Sequence, residues 1–257
     1  MLWNASALKG YAIEATDGPL GTVSDFLFND SSWVVRWLVV DTGSWLQNRQ
    51  VLLPPSVLGK RSRLRKEFSV DLARNSVKNS PSISVDEPVS RQMETEIYSH
   101  YGWPPYWLTE HSMGGTLPSA MLTAPLYVAG SRPADSKSAR GEPRASDRHL
   151  RSTTDVSDYR VHASDGEIGK IDDFLIDDTD WGVSYIKADA GSWWSRRYVL
   201  LTPRSVMTIA WDTRQVNLAV SRLQVKNSPP YTDALTVDKD YETRLHDHYG
   251  YRWSGQT

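Results

Sequence analysis

The chain repeats itself. Shifted by 148 residues, Tyr11–Pro55 aligns without a gap on Tyr159–Pro203, with 20 identities in 45 positions. Asp17-Gly18 matches Asp165-Gly166, Asp25-Phe26-Leu27 matches Asp173-Phe174-Leu175, and Trp33 matches Trp181. Gly43-Ser44-Trp45 matches Gly191-Ser192-Trp193, and Val51-Leu52-Leu53 matches Val199-Leu200-Leu201. The same offset pairs KNSP at 78–81 with KNSP at 226–229, and His100-Tyr101-Gly102 with His248-Tyr249-Gly250. A period this long marks two whole domains, not a solenoid. Residues 1–109 and 151–257 are therefore read as two modules. Residues 110–150, rich in Gly, Ser, Ala, Pro and Arg, are read as a flexible linker with one apolar patch at 121–128.

Each module reads as β-rich. Asp17-Gly18-Pro19 and Asp165-Gly166 are hairpin turn signals between short apolar runs. Strands are expected over Thr22–Phe28 and Lys170–Ile176, and over Trp33–Val40, the run densest in β-branched and aromatic residues. Val51–Leu53 and Val199–Leu201 are short strands stopped by Pro55 and Pro203, and Phe68–Leu72 and Gln215–Ala219 close the modules. A helix follows in each copy: Val89, Met93, Ile97 and Tyr101 recur every four residues, as do Val237, Tyr241, Leu245 and Tyr249. Asp86 and Pro88 would start the first helix, and Gly102 and Gly250 would end the pair. Five or six short strands with turn signals suggest a small barrel or sandwich.

The order of these features resembles the PRC-barrel family: an Asp-Gly pair with a glycine three residues on, VSDFLFND or IDDFLIDD, a Trp-led strand ending in Val-Asp-Thr-Gly, and VLLPP. HLRSTTDV at 149–156 is also similar to two-copy bacterial members. The resemblance implies a mainly β fold of two tandem small barrels, each followed by a short helical segment. It includes the barrel of the photosynthetic reaction centre H subunit and that of a ribosome maturation factor. In those relatives the barrel is a protein-contact module, not a catalyst.

Composition narrows the chemistry. With no cysteine, disulfides, thiolate metal sites and a cysteine nucleophile are excluded. A formal charge of −2 gives no global attraction to nucleic acid or anionic membrane. The start, MLWNASALKGY, lacks a basic stretch followed by an apolar core, and the longest apolar run, Trp33–Val40, falls far short of a membrane span. A soluble, cytoplasmic chain is expected. No GxSxG elbow, phosphate loop, dinucleotide fingerprint or HExxH pair is present. An enzyme, a cofactor and a metal site are not expected.

The candidate residues fall into two groups. Asp17, Gly18, Asp25, Trp33 and their matches Asp165, Gly166, Asp173 and Trp181 are read as structural. Asp25 and Asp173 share strand parity with Val23/Leu27 and Ile171/Leu175, and a carboxylate so placed more often ties down a loop than handles protons. Binding is assigned to the loops GSWLQNR at 43–49 and GSWWSRR at 191–197: Trp45, Arg49, Trp193, Trp194, Arg196 and Arg197. Trp and Arg are enriched at binding hot spots, although Trp45 and Trp193 are as readily read as plugs of the barrel. The run KRSRLRK at 60–66 is read first as a solvated loop, and copy two has TIAWDTR nearby instead. The chain is thus expected to be a non-enzymatic binding or scaffold protein. Its partner is an unknown protein, with self-association or intramolecular barrel pairing as further options. An RNA- or ribosome-associated factor and a peripheral partner of an electron-transfer complex are the alternatives.

Overall fold

A computed structural model describes residues 1–62, 64–81, 89–110, 150–191, 196–233 and 237–250. The expected linker therefore lies outside the described residues except at its two ends. The protein is mainly β and contains two sheets.

The chain opens with β1 (Leu2–Asn4) and one helical turn, α1 (Ala5–Leu8), followed by β2 (Ala12–Ala15), β3 (Gly18–Asn29), β4 (Val35–Asp41) and β5 (Gln50–Leu53). Then come β6 (Leu58–Ser62), β7 (Glu67–Val70), α2 (Arg74–Lys78), α3 (Arg91–Tyr101) and α4 (Tyr106–Glu110). The second copy repeats the order: β8 (Leu150–Ser152), α5 (Thr153–Val156), β9 (Arg160–Ala163), β10 (Gly166–Asp177), β11 (Val183–Asp189) and β12 (Tyr198–Leu201). It ends with β13 (Val206–Ala210), β14 (Gln215–Leu218), α6 (Arg222–Asn227), β15 (Pro230–Tyr231) and α7 (Lys239–Tyr249).

The first sheet runs β5-β4-β3-β2-β7-β6, and the second β13-β14-β9-β10-β11-β12-β15. Pairing among the described residues closes neither sheet into the ring that a barrel requires. Glycine is needed where β3 crosses the end of β4: a Cβ on Gly21 would overlap the Asp41 carbonyl oxygen, and one on Gly169 the Asp189 oxygen. Asp17 and Asp165 do more than make a turn. Each accepts a hydrogen bond from the first backbone N–H of the distant helix, Arg74 at 2.8 Å and Arg222 at 2.6 Å.

Three expectations are corrected. β3 and β10 are 12-residue strands that start at Gly18 and Gly166, and each carries a bulge opposite its neighbour, between Val23 and Asp25 and between Ile171 and Asp173. The extra residue reverses the alternation. Val23 faces the core with Phe26 and Phe28, while Asp25 and Leu27 turn away. Second, Trp33 and Trp181 do not lead strands. They sit in the preceding turn with φ +56° and +60°, and pairing begins two residues later at Val35 and Val183. Third, α3 starts later than expected: Ser90 is its N-cap, its Oγ accepting the Met93 N–H at 3.2 Å, as the Asp238 carboxylate does for Tyr241 in α7. Asp86 and Pro88 lie outside the described residues. Gly102 and Gly250 end the two helices at φ +69°, as expected.

The N-terminal segments of the two copies are exchanged. β1 pairs with β10, Leu2 opposite Asp177, and β8 pairs with β3, Leu150 opposite Asn29. The turns then meet: Val34 bridges Gly182, Val35 N–H donates to the Trp181 carbonyl at 2.9 Å, and Val183 N–H donates to that of Trp33 at 2.7 Å. Phe28 and Phe174 touch across the boundary with ring centroids 5.5 Å apart, and Trp181 lies over Phe26 and Phe68 of the other copy. Most buried apolar residues of both copies consequently form one continuous core, while Trp37, Val39, Leu52, Val89, Ile97, Tyr98 and Leu150 form a second, smaller cluster. On the outer faces, the helices dock through matched bonds. Trp37 Nε1 donates to Glu94 at 2.8 Å in copy one, and Tyr185 Oη donates to Glu242 at 3.1 Å in copy two.

Candidate functional site

Residues kept in both copies are engaged inside the protein. Asp25 accepts from the hydroxyls of Ser152 and Thr153 (the latter at 2.7 Å) and from the Thr154 N–H at 3.2 Å, so it holds the exchanged segment of copy two. Lys9 Nζ lies 3.1 Å from the same carboxylate. Asp173 does the reciprocal work, accepting from Ser6 Oγ at 2.5 Å and Ser6 N–H at 3.2 Å. Ser157 replaces Lys9 in copy two, and the electrostatics differ accordingly. Burial pushes Asp25 up, but Lys9 and the two hydroxyls outweigh it and leave its pKa below the usual carboxylate value. At Asp173, only 5% exposed, burial prevails over the Ser6 bonds and the pKa is raised.

The proposed binding arginines divide. The Arg49 guanidinium donates to the Lys78 carbonyl at 3.0 Å and to that of Ser80, and Arg197 donates to the Ser228 carbonyl at 3.2 Å. Each therefore clamps the end of α2 or α6, which explains why KNSP recurs: the repeated segment supplies the acceptor carbonyls. Trp45 is half-buried against the core, its Nε1 donating to the Leu20 carbonyl at 2.6 Å and its ring lying 4.3 Å from the Arg74 guanidinium. Trp193 and Trp194 lie outside the described residues. Arg196 is exposed, and its guanidinium donates to the Tyr198 hydroxyl at 3.1 Å.

Arg196 stands at the rim of a cavity of about 400 Å³ lined by Arg196, Arg197, Tyr198, Pro230, Tyr231, Thr232 and Asp233. That volume is in the range of small-ligand and side-chain pockets. Beside it, on β11, lies Lys187, 4% exposed, with Asp233 at 2.8 Å, Asp172 at 2.9 Å, and the Tyr198 ring 4.2 Å from its ammonium. Burial would lower the Lys187 pKa, but the two carboxylates more than offset it, and the pKa is raised. Asp233 is lowered in turn, first by its bond from Lys187. Asn4 Nδ2 also donates to Asp233 at 3.1 Å, so the exchanged β1 reaches this cluster.

Sequence reasoning missed Lys187, Asp233, Tyr198 and Tyr231. A signal was present: Lys187, Asp172 and Tyr198 stand where copy one has Val39, Ser24 and Gln50. An uncharged strand face in one copy becomes a charged, aromatic-flanked one in the other. Among the described residues no group of three or more His, Asp and Glu is arranged to hold a metal, and no helix is long and apolar enough to cross a membrane. No protein-family model matches the chain, and no curated protein matches it.

Proposed function

We propose that this chain is a non-enzymatic binding or scaffold protein whose two PRC-type barrel modules act as one rigid body, and that its contact surface is the rim of the copy-two cavity. The supporting observation is the division of labour between matched and unmatched residues. Matched residues, Asp25/Asp173, Arg49/Arg197 and Trp33/Trp181, make internal bonds. Apart from Arg197, the residues that line the open concavity, among them Arg196, Tyr198 and Asp233, differ from their counterparts in copy one. Arginine and tyrosine around a pocket are the residue types that dominate binding energy at protein interfaces, and a fused, strand-exchanged core gives them a stiff support. Barrel closure and membership of the PRC-barrel family belong to the same proposal.

The experiment pairs melting with affinity capture from native extract. An Arg196→Ala/Tyr198→Ala variant is expected to melt within a few degrees of the parent and to lose the proteins that the parent retains. An equally well-folded variant that retains the same proteins would remove this surface from consideration.

A further inference from the structure

We infer that the hairpin joining β6 to β7 is a peripheral membrane contact whose partner is an anionic phospholipid surface. Residues 58–70 carry five basic residues, Lys60, Arg61, Arg63, Arg65 and Lys66, against the single acid Glu67. At the apex Leu64 is 100% exposed, with Arg65 and Lys66 exposed beside it. Arg65 is only loosely engaged by Glu67, at 3.6 Å.

The second copy is an internal control. Its matching turn puts Arg214 where copy one has Lys66, with φ +50° against +52°. Both carbonyls accept the same bond, Lys66 from Ala12 N–H at 2.8 Å and Arg214 from Arg160 N–H at 3.0 Å. The Leu64 position is Asp212 there, and residues 206–218 carry one basic residue, Arg214, against that one acid. The turn geometry thus requires neither a leucine nor a run of basic residues. In copy two the neighbouring Trp211 is also drawn into the body, with the Arg151 guanidinium 3.4 Å from its ring and Tyr159 at 5.7 Å.

A phosphate polymer such as RNA would account for the cations but would leave the leucine in water, since single-stranded nucleic acid is gripped by aromatic platforms that stack on bases. An anionic bilayer accounts for both. Its headgroups attract the basic residues, each worth roughly fivefold in partitioning, and the headgroup–acyl boundary takes an aliphatic side chain.

The test is sedimentation of the full chain with vesicles of phosphatidylglycerol mixed into phosphatidylcholine, and with phosphatidylcholine alone. Binding to the anionic vesicles only, weakening with salt, is expected. Leu64→Asp, borrowed from copy two, should lower partitioning by about tenfold and Arg65→Gln by about fivefold, both with the melting temperature unchanged. No binding to anionic vesicles overturns the inference, and so does binding that Leu64→Asp leaves intact. Tight binding of a single-stranded RNA oligonucleotide, displacing vesicles and indifferent to Leu64→Asp, would assign the tip to nucleic acid instead.

Discussion

The backbone carbonyl of Trp33 accepts the amide of Val183 at 2.7 Å, from the other copy of the repeat. That bond requires the left-handed turn at Trp33, which aims the carbonyl across the boundary while its ring stacks on Phe28 with centroids 5.4 Å apart. A bulky residue with positive φ is strained, so the ring contact and the cross-copy bond must outweigh the backbone cost.

The turn therefore separates ring from backbone. Trp33→Ala and Trp181→Ala should each cost about 2–4 kcal/mol, somewhat less than a fully buried tryptophan. Trp33→Gly should cost about 0.5–1 kcal/mol less than Trp33→Ala, because glycine accepts the left-handed backbone. Urea unfolding of the three variants measures both differences. Alanine and glycine variants of equal stability would show that the strain is unimportant.

Asp25 and Asp173 clasp equivalent segments but should respond oppositely to acid. Asp25 has a lowered pKa, so its contribution is present above the unfolded carboxylate pKa and is lost as pH falls through its folded value. Asp173 has a raised pKa, so ionisation works against the fold at neutral pH and protonation relieves that as pH falls. At neutral pH, Asp25→Asn should destabilise by about 1–3 kcal/mol, the loss expected when a buried, charge-assisted acceptor is removed. Asp173→Asn should cost less or stabilise. Equal losses for the two variants would contradict the assignment of Lys9 as the distinguishing partner.

Strand exchange predicts that the halves stay together without a covalent link. A specific protease site engineered within residues 130–140 should be cut to completion, yet the fragments should co-elute as one particle in native size exclusion. They should part only in denaturant, when β1 leaves β10 and β8 leaves β3. Independent elution of the fragments under native conditions would be incompatible with the shared core.

The Lys187 cluster provides a further measurement. Lys187→Met removes the cation between Asp172 and Asp233, whose side chains are 28% and 57% exposed and can be rehydrated. The cost should be about 1–2 kcal/mol, below that of breaking a fully buried pair. Restoring copy-one chemistry with Lys187→Val/Asp172→Ser should recover part of it. A double variant weaker than the single would mean that Asp172 is held by something other than Lys187.

The sequence by itself determined the two-copy repeat, the mainly β character and the ends of the two helices at Gly102 and Gly250. These follow from local preferences and from the repeat, both of which act within a few residues. Tertiary structure decided the rest. A segment such as Leu150–Ser152 satisfies the same backbone bonds on β10 as on β3, and even the Asp30 that Arg151 reaches has its match in Asp178, so nothing local in it says which copy it joins; the choice is made where the two turns interlock. The bulges in β3 and β10 likewise reversed the facing of Asp25 and Leu27, because one inserted residue in a period of two exchanges the faces. And the cluster beside the cavity drew Lys187, Tyr198 and Asp233 from three separate stretches of chain, a convergence made by packing long-range strands and not encoded in any one of them.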